Sequence, residues 1–192
     1  MRSLDDYIVK PLGKRYNNVK KVGEAELIVN TEIQNHQYIN KEAVVIETPV
    51  NESLGIKKGD IVLVNHNVFR RWYNVRGIEK NSRSYFKEDK YFVKKDQLYL
   101  YKREDEWKAV EGYSFVQPIK NKDVLSTEKE QPFTGIVEYS NKFDKKDLIG
   151  FMPGSEYEFI VGKKRLYRVI DQFITIKYEY QGNEEAYNPS WA

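Results

Sequence analysis

The chain is written in short runs of β-branched and aromatic residues, each closed by turn formers, and no stretch repeats apolar residues at helical spacing over three turns. The runs are Tyr7-Ile8-Val9, Glu26-Leu27-Ile28-Val29, Ala43-Val44-Val45-Ile46, Asp60-Ile61-Val62-Leu63-Val64, Tyr91-Phe92-Val93, Leu98-Tyr99-Leu100-Tyr101 and Tyr113-Ser114-Phe115-Val116. The last third adds Gly135-Ile136-Val137-Glu138-Tyr139, Tyr157-Glu158-Phe159-Ile160-Val161, Leu166-Tyr167-Arg168-Val169 and residues 173–180. Lys58-Gly59-Asp60, Pro153-Gly154-Ser155 and Gly162-Lys163-Lys164 punctuate them. The segment nearest to a helix, 142–149, reads as a turn-rich connection. Strands with no helices between them cannot build a βαβ sheet, so the predicted fold class is all-β, with short strands arranged in barrels or sandwiches.

At 192 residues the chain suits one large or two small domains. Cysteine is absent, which excludes disulfides, thiolate catalysis and sulfur-bound zinc. A reducing cytoplasm, or a virus particle assembled there, is the expected location. No apolar run reaches the roughly 18–20 residues of a membrane span. Met1-Arg2-Ser3-Leu4-Asp5-Asp6 leads into no apolar stretch, so no signal peptide is expected. A net charge of +3 permits contact with nucleic acid without arguing for it. His36 and His66 stand apart, without metal-ligand spacing. Nucleophile elbows, phosphate loops and dinucleotide fingerprints are missing. No catalytic residue, cofactor or metal is therefore expected, and the chain reads as a non-enzyme.

The two halves echo each other in the same order. Ile8-Val9-Lys10-Pro11-Leu12 resembles Phe115-Val116-Gln117-Pro118-Ile119, and 91–101 resembles 167–176 with one deletion. Lys41-Glu42-Ala43-Val44-Val45 is matched by Thr134-Gly135-Ile136-Val137, and Lys58-Gly59-Asp60 by Pro153-Gly154-Ser155. The expected organisation is a first module at 1–107, carrying an aromatic-basic insertion at 67–90, and a second at 108–192 with a polar C-terminal tail.

The succession 7–12, 27–29, 41–45, 54–64 and 96–100 resembles the ten-kilodalton co-chaperonin (GroES-like) family, and the second half fits the same template more loosely. The resemblance implies two small GroES-like or SH3-like β-barrels in tandem. It implies an oligomeric ring that caps a chaperonin, with 15–30 as a mobile loop and Leu27-Ile28-Val29 as its docking tripeptide. The glycine pair usual before that tripeptide is replaced by Glu24-Ala25-Glu26. The alternative reading of the same barrels is a structural virion component, such as a phage auxiliary or decoration capsid protein; a nucleic-acid-binding module is a minor third.

Three places are candidate partner-binding sites. The first is Leu27, Ile28 and Val29. The second is the stretch 69–76, where Phe69, Arg70, Arg71, Trp72, Tyr73 and Arg76 interleave arginines with aromatics. That mixture is enriched at protein interface hot spots and also stacks on bases. The third is Trp191 in the tail, read as an anchor on a neighbouring subunit or on its own barrel. The expected partner is a large oligomeric protein assembly, chaperonin or capsid, with self-association alongside and no membrane.

Overall fold

In a computed structural model of the chain, residues 2–17, 19–23, 25–28, 38–123, 125–179 and 182–191 are described. The chain divides into two compact units, Met1–Glu106 and Trp107–Ala192. Every regular element in the described residues is a strand or a short 3-10 turn. No helix among them is long and apolar enough to cross a membrane.

Unit 1 begins with β1 (Tyr7–Pro11), followed by a hairpin of β2 (Val19–Val22) and β3 (Ala25–Ile28). β4 (Glu42–Glu47) and β5 (Ile61–Val64) come next. An arm holds β6 (Arg71–Tyr73), β7 (Glu79–Asn81) and β8 (Tyr85–Lys87). β9 (Lys90–Val93), β10 (Leu98–Arg103) and β11 (Glu106–Ala109) close the series, β11 straddling the division. Unit 2 carries β12 (Tyr113–Lys120), β13 (Glu130–Tyr139), β14 (Leu148–Phe151), β15 (Tyr157–Val161), β16 (Lys164–Ile170) and β17 (Ile174–Tyr178).

The strand order β10-β5-β4-β1-β9-β8 in unit 1 has its counterpart in unit 2 as β17-β14-β13-β12-β16-β15. The registers agree residue by residue. Val9 faces Val45 and Pro11 faces Ala43; Val116 faces Val137 and Pro118 faces Gly135. Tyr91 lies opposite Val9 as Tyr167 lies opposite Val116. Both first strands slip register one step before the shared valine, between Ile8 and Val9 and between Phe115 and Val116. Tyr91-Phe92-Val93 through Leu98 aligns with Tyr167-Arg168-Val169 through Ile174 without a deletion, each run containing a 3-10 turn. Proline is tolerated within these strands because the neighbouring ladder has ended there: β12 pairs with β16 only as far as Val116, and β1 with β9 only as far as Val9.

The turn equivalent to Lys58-Gly59-Asp60 is Lys145-Lys146-Asp147, which corrects the expected match to Pro153-Gly154-Ser155. Val45 N–H donates to the Asp60 carbonyl (2.9 Å) and Gly59 N–H to the Val45 carbonyl (2.8 Å). Val137 N–H donates to the Asp147 carbonyl (2.8 Å) and Lys146 N–H to the Val137 carbonyl (2.8 Å). Gly59 and Lys146 both take positive φ, at 91° and 78°. The aspartate side chains lock these turns. Asp60 Oδ2 accepts the Lys57 N–H (2.8 Å) and the Arg103 guanidinium (2.6 Å); Asp147 Oδ2 accepts the Asp144 N–H (3.0 Å) and Lys177 Nζ (2.6 Å). In each unit the cation arrives from the strand that flanks the turn's own strand.

The cores follow from the pairing. In unit 2, Val116, Val137, Ile149, Phe151 and Val169 form a buried cluster, with Phe143, Tyr167, Phe173 and Ile174 packed on it. Gly135 belongs at its place because a Cβ there would stand 2.9 Å from the Gln117 carbonyl. In unit 1 the buried set includes Tyr7, Val9, Val45, Val62, Leu63, Phe69, Tyr91, Leu98 and Leu100. Burying each such side chain contributes about 1.5–3 kcal/mol.

The sheets are open, which corrects the expectation of GroES-like or SH3-like barrels. Closure requires the first and last strands of a sheet to meet at matched tilt and stagger. Here β11 and β8 end one sheet, and β15 and β17 end the other, without pairing to each other. β17 is exposed from Thr175 to Tyr178, as a free edge would be. Within 15–30, which the resemblance implies is a mobile loop, the described residues include the paired strands β2 and β3. Leu27 and Ile28 lie in β3, paired with Lys20 and Val19 across a turn at Gly23. Val29 lies outside the described residues.

Two expectations follow. Asp60→Ala removes two anchors of a nearly buried carboxylate and lowers unit 1 stability by about 2–4 kcal/mol, whereas Lys177→Met, breaking a half-exposed pair, lowers unit 2 stability by less than about 1 kcal/mol. Hydrogen exchange resolved by unit distinguishes the two. Burial raises the Glu138 pKa, but hydrogen bonds from Lys164 and Lys145 outweigh it and hold the carboxyl below its usual 4.5. A carboxyl whose folded pKa is depressed stabilises the fold above its unfolded value and loses that contribution as pH falls through the folded one. Unit 2 should therefore soften below about pH 4.5, and Glu138→Gln should flatten that part of the stability–pH curve measured by urea unfolding.

Candidate functional site

The chain leaving β1 is fixed by Asn40, a buried side chain whose Nδ2 donates to the carbonyls of Leu12 (2.8 Å) and Lys14 (2.9 Å). This delivers Arg15 beneath the arm. Arg15 Nε donates to the Phe69 carbonyl (2.7 Å), one terminal nitrogen to the Arg70 carbonyl (3.2 Å) and the other to Asn81 Oδ1 (2.7 Å). Its guanidinium lies 5.3 Å from the centre of the Tyr91 ring. Burial lowers the Arg15 pKa and pushes the Tyr91 hydroxyl up to about 12. Arg15 thus ties both ends of the β6–β7 hairpin to the core.

The hairpin forms an arm in which β6 and β7 pair antiparallel, Arg71 with Asn81 and Tyr73 with Glu79. Arg71 N–H donates to the Tyr16 hydroxyl (2.9 Å), the Arg71 guanidinium sits over the Tyr16 ring at 4.7 Å, and it pairs with Glu79 at 3.1 Å. At the tip, Asn74 Oδ1 accepts the N–H groups of Arg76 (3.0 Å) and Ile78 (2.9 Å), and Gly77 supplies φ of 71°. Val75 is fully exposed there, and Trp72, Tyr73 and Ile78 are each about half exposed.

Beside the arm lies a cavity of about 540 Å³, whose lining includes Asn67, Arg70, Trp72, Tyr73, Ser82 and Arg83. Ser82 is oriented by donating its hydroxyl to the Val68 carbonyl (2.5 Å). Arg70 is half-buried, and its Nε is shielded from solvent without a hydrogen-bond partner. Among the described residues, no carboxylate lines the cavity. A shielded guanidinium N–H with no acceptor is costly unless a ligand supplies one. The wall offers two arginines, two serines, an asparagine and a glutamine around two aromatic faces. Chemically, such a lining is suited to an anionic group with an apolar neighbour against Trp72 and Tyr73.

Of the sequence-predicted residues, Arg70, Trp72 and Tyr73 share this cavity. Phe69 turns the other way: it is fully buried and meets Tyr91 edge to face at 4.8 Å between ring centres. Arg71 is committed to Tyr16 and Glu79, and Arg76 is exposed at the hairpin turn. Trp191 belongs to unit 2, where it is 64% exposed beside the Arg165 guanidinium (5.7 Å). The tail before it runs back onto its own unit, Tyr187 N–H donating to the Pro118 carbonyl (2.7 Å) and Lys120 N–H to the Glu185 carbonyl (2.8 Å). Arg83 comes from the same aromatic-basic insertion, whereas Asn67, Ser82, Ser84 and Gln97 enter the site without a signal of their own, since only the fold brings these positions together.

No family model, curated protein or solved structure matches the chain. With open sheets and no match to the ten-kilodalton co-chaperonins, the family resemblance does not hold. The co-chaperonin cap and the virion component were built on those barrels and fall with them; the nucleic-acid module, which rested on the arginine–aromatic stretch 69–76, finds no support in any of the three comparisons.

Arg15→Ala removes three hydrogen bonds from a charged donor, each worth about 1.5–3 kcal/mol. The expected result is loss of hydrogen-exchange protection at Arg71 and Asn81, ahead of any change in β4 or β5.

Proposed function

We propose that this chain is a non-catalytic protein-interaction module, and that its unit 1 cleft binds an acidic side chain flanked by an apolar residue on a partner protein. The observation that carries the reading is the pair of arginines, Arg70 and Arg83, in one cavity with no acidic residue among the described residues of its lining and exposed Trp72 and Tyr73 at its side. Trp, Tyr and Arg are the residues in which interface energy concentrates. Ser82 lends no support to catalysis at this place, because its hydroxyl already donates to the Val68 carbonyl. The exposed Val75 and Ile78 extend the apolar part of the surface along the arm.

The test uses peptides that present a glutamate or aspartate between leucines, set against matched peptides with glutamine or lysine at that place. Titrated into the whole chain, the acidic peptides should bind, and binding should weaken with salt as exposed charges are screened. Arg70→Ala and Trp72→Ala should each cost tenfold or more, about 1.4 kcal/mol upward. Equal binding of the glutamine peptides, or undiminished binding by the Arg70→Ala protein, defeats the reading.

A further inference from the structure

Unit 2 contains a second cavity, of about 380 Å³, whose lining includes Glu130, Pro132, Phe133, Phe151, Glu156 and Tyr167. Its size falls in the range of small-ligand pockets, about 300–1,000 Å³. Three aromatic residues, Phe133, Phe151 and Tyr167, contribute to the wall. Phe151 is nearly buried, Tyr167 is half-buried, and Phe133 is held at φ of 54° at the rim, 43% exposed.

The charges in and around it are unequally satisfied. Glu130 is fully engaged: it pairs with Arg165 and accepts the Tyr167 hydroxyl at 2.8 Å. Arg165 is in turn shared with Glu158 at 2.7 Å. Burial, then the Glu130 hydrogen bond, raises the Tyr167 pKa, which keeps that hydroxyl a donor. Glu128 and Lys129 are both exposed at the edge and offset each other. Glu156 is different. Its Oε2 is closed off from solvent and makes no hydrogen bond. A shielded carboxylate oxygen without a donor is costly, and the natural remedy is a cation that brings its own N–H groups. Aromatic faces around such a cation add attraction through their ring quadrupoles.

We propose that this cavity receives a single organic cation, an alkylammonium or guanidinium group, with Glu156 as its counter-ion and Phe133, Phe151 and Tyr167 as its aromatic wall. The group comes either from a free amine or from a lysine or arginine side chain presented by a peptide, and the chemistry of recognition is the same for both. The site is separate from the arginine cleft of unit 1 and selects the opposite charge.

The test is a titration of the isotopically labelled whole chain, followed by amide chemical shifts. The probes are n-butylammonium chloride, ethylguanidinium chloride and acetyl-Gly-Lys-Gly-amide, with 1-butanol and sodium chloride as controls. Saturable shifts at Glu130, Phe133, Phe151 and Glu156 are expected with the cations and not with the controls. A tighter fit for the peptide than for butylammonium identifies a side chain as the natural ligand; the reverse identifies a free amine. Glu156→Gln should weaken binding about tenfold or more, and Lys129→Ala, at the exposed edge, should leave it unchanged or tighter. Should Glu156→Gln fail to fold, Phe133→Ala carries the decision, with a loss of about threefold or more expected from the lost cation–ring contact. Equal shifts with butanol, unaltered affinity in Glu156→Gln, or unaltered affinity in Phe133→Ala overturns the proposal.

Discussion

Each unit depends on one aspartate at the turn into its inner strand. Asp60 and Asp147 accept a backbone N–H from three residues earlier and a cation from the adjoining strand, while their own carbonyls receive the N–H of Val45 or Val137. Because strand side chains alternate faces, a slip of one residue would send a whole strand's apolar set to the wrong side. The turn forbids that slip at the point where β4 meets β5 and β13 meets β14. The alignment of Val9 with Val45 and of Val116 with Val137 is consistent with that anchor, and the buried clusters follow from the alignment.

The strands themselves were largely readable from the residues, because β-branched and aromatic runs bounded by turn formers have few other uses. Register equivalence of Pro11 with Pro118 and of Tyr91 with Tyr167 was readable for the same reason: apolar positions in a pleated strand carry a fixed meaning. Other features left no local mark. Leu148-Ile149-Gly150-Phe151 follows a lysine-rich turn and looked like the end of a connection, yet it is a strand buried throughout. Lysine at position 146 gave no sign of the left-handed turn that glycine announces at 59. Whether a sheet closes depends on tilt, stagger and the meeting of distant ends, none of which any short segment encodes.

The site was half legible. Alternation of arginine and aromatic residues marked 69–76 as a surface of interest, but it could not say which ring turns inward; Phe69 does, because Arg15 seizes its carbonyl and Tyr91 receives its ring. The serines and Arg83 on the far side of the cleft arrive through the return path of the arm. In unit 2 a single glutamate between Ser155 and Tyr157 gave no signal at all. What distinguishes Glu156 is the shielding of one oxygen, a property of the folded surroundings and not of the residue.

Matching strand orders place the arm of unit 1 and the β14–β15 link of unit 2 at the same station in the fold. The connection from β5 to β8 in unit 1 corresponds to the one from β14 to β15 in unit 2. The first is an arm, bearing Arg70 and Arg83; the second is a brief link, bearing Glu156. One scaffold thus carries inserts of very different length at a single doorway without losing its pairing. That makes the doorway a natural place for grafting: a transplanted segment of either polarity would inherit a frame already built to hold it.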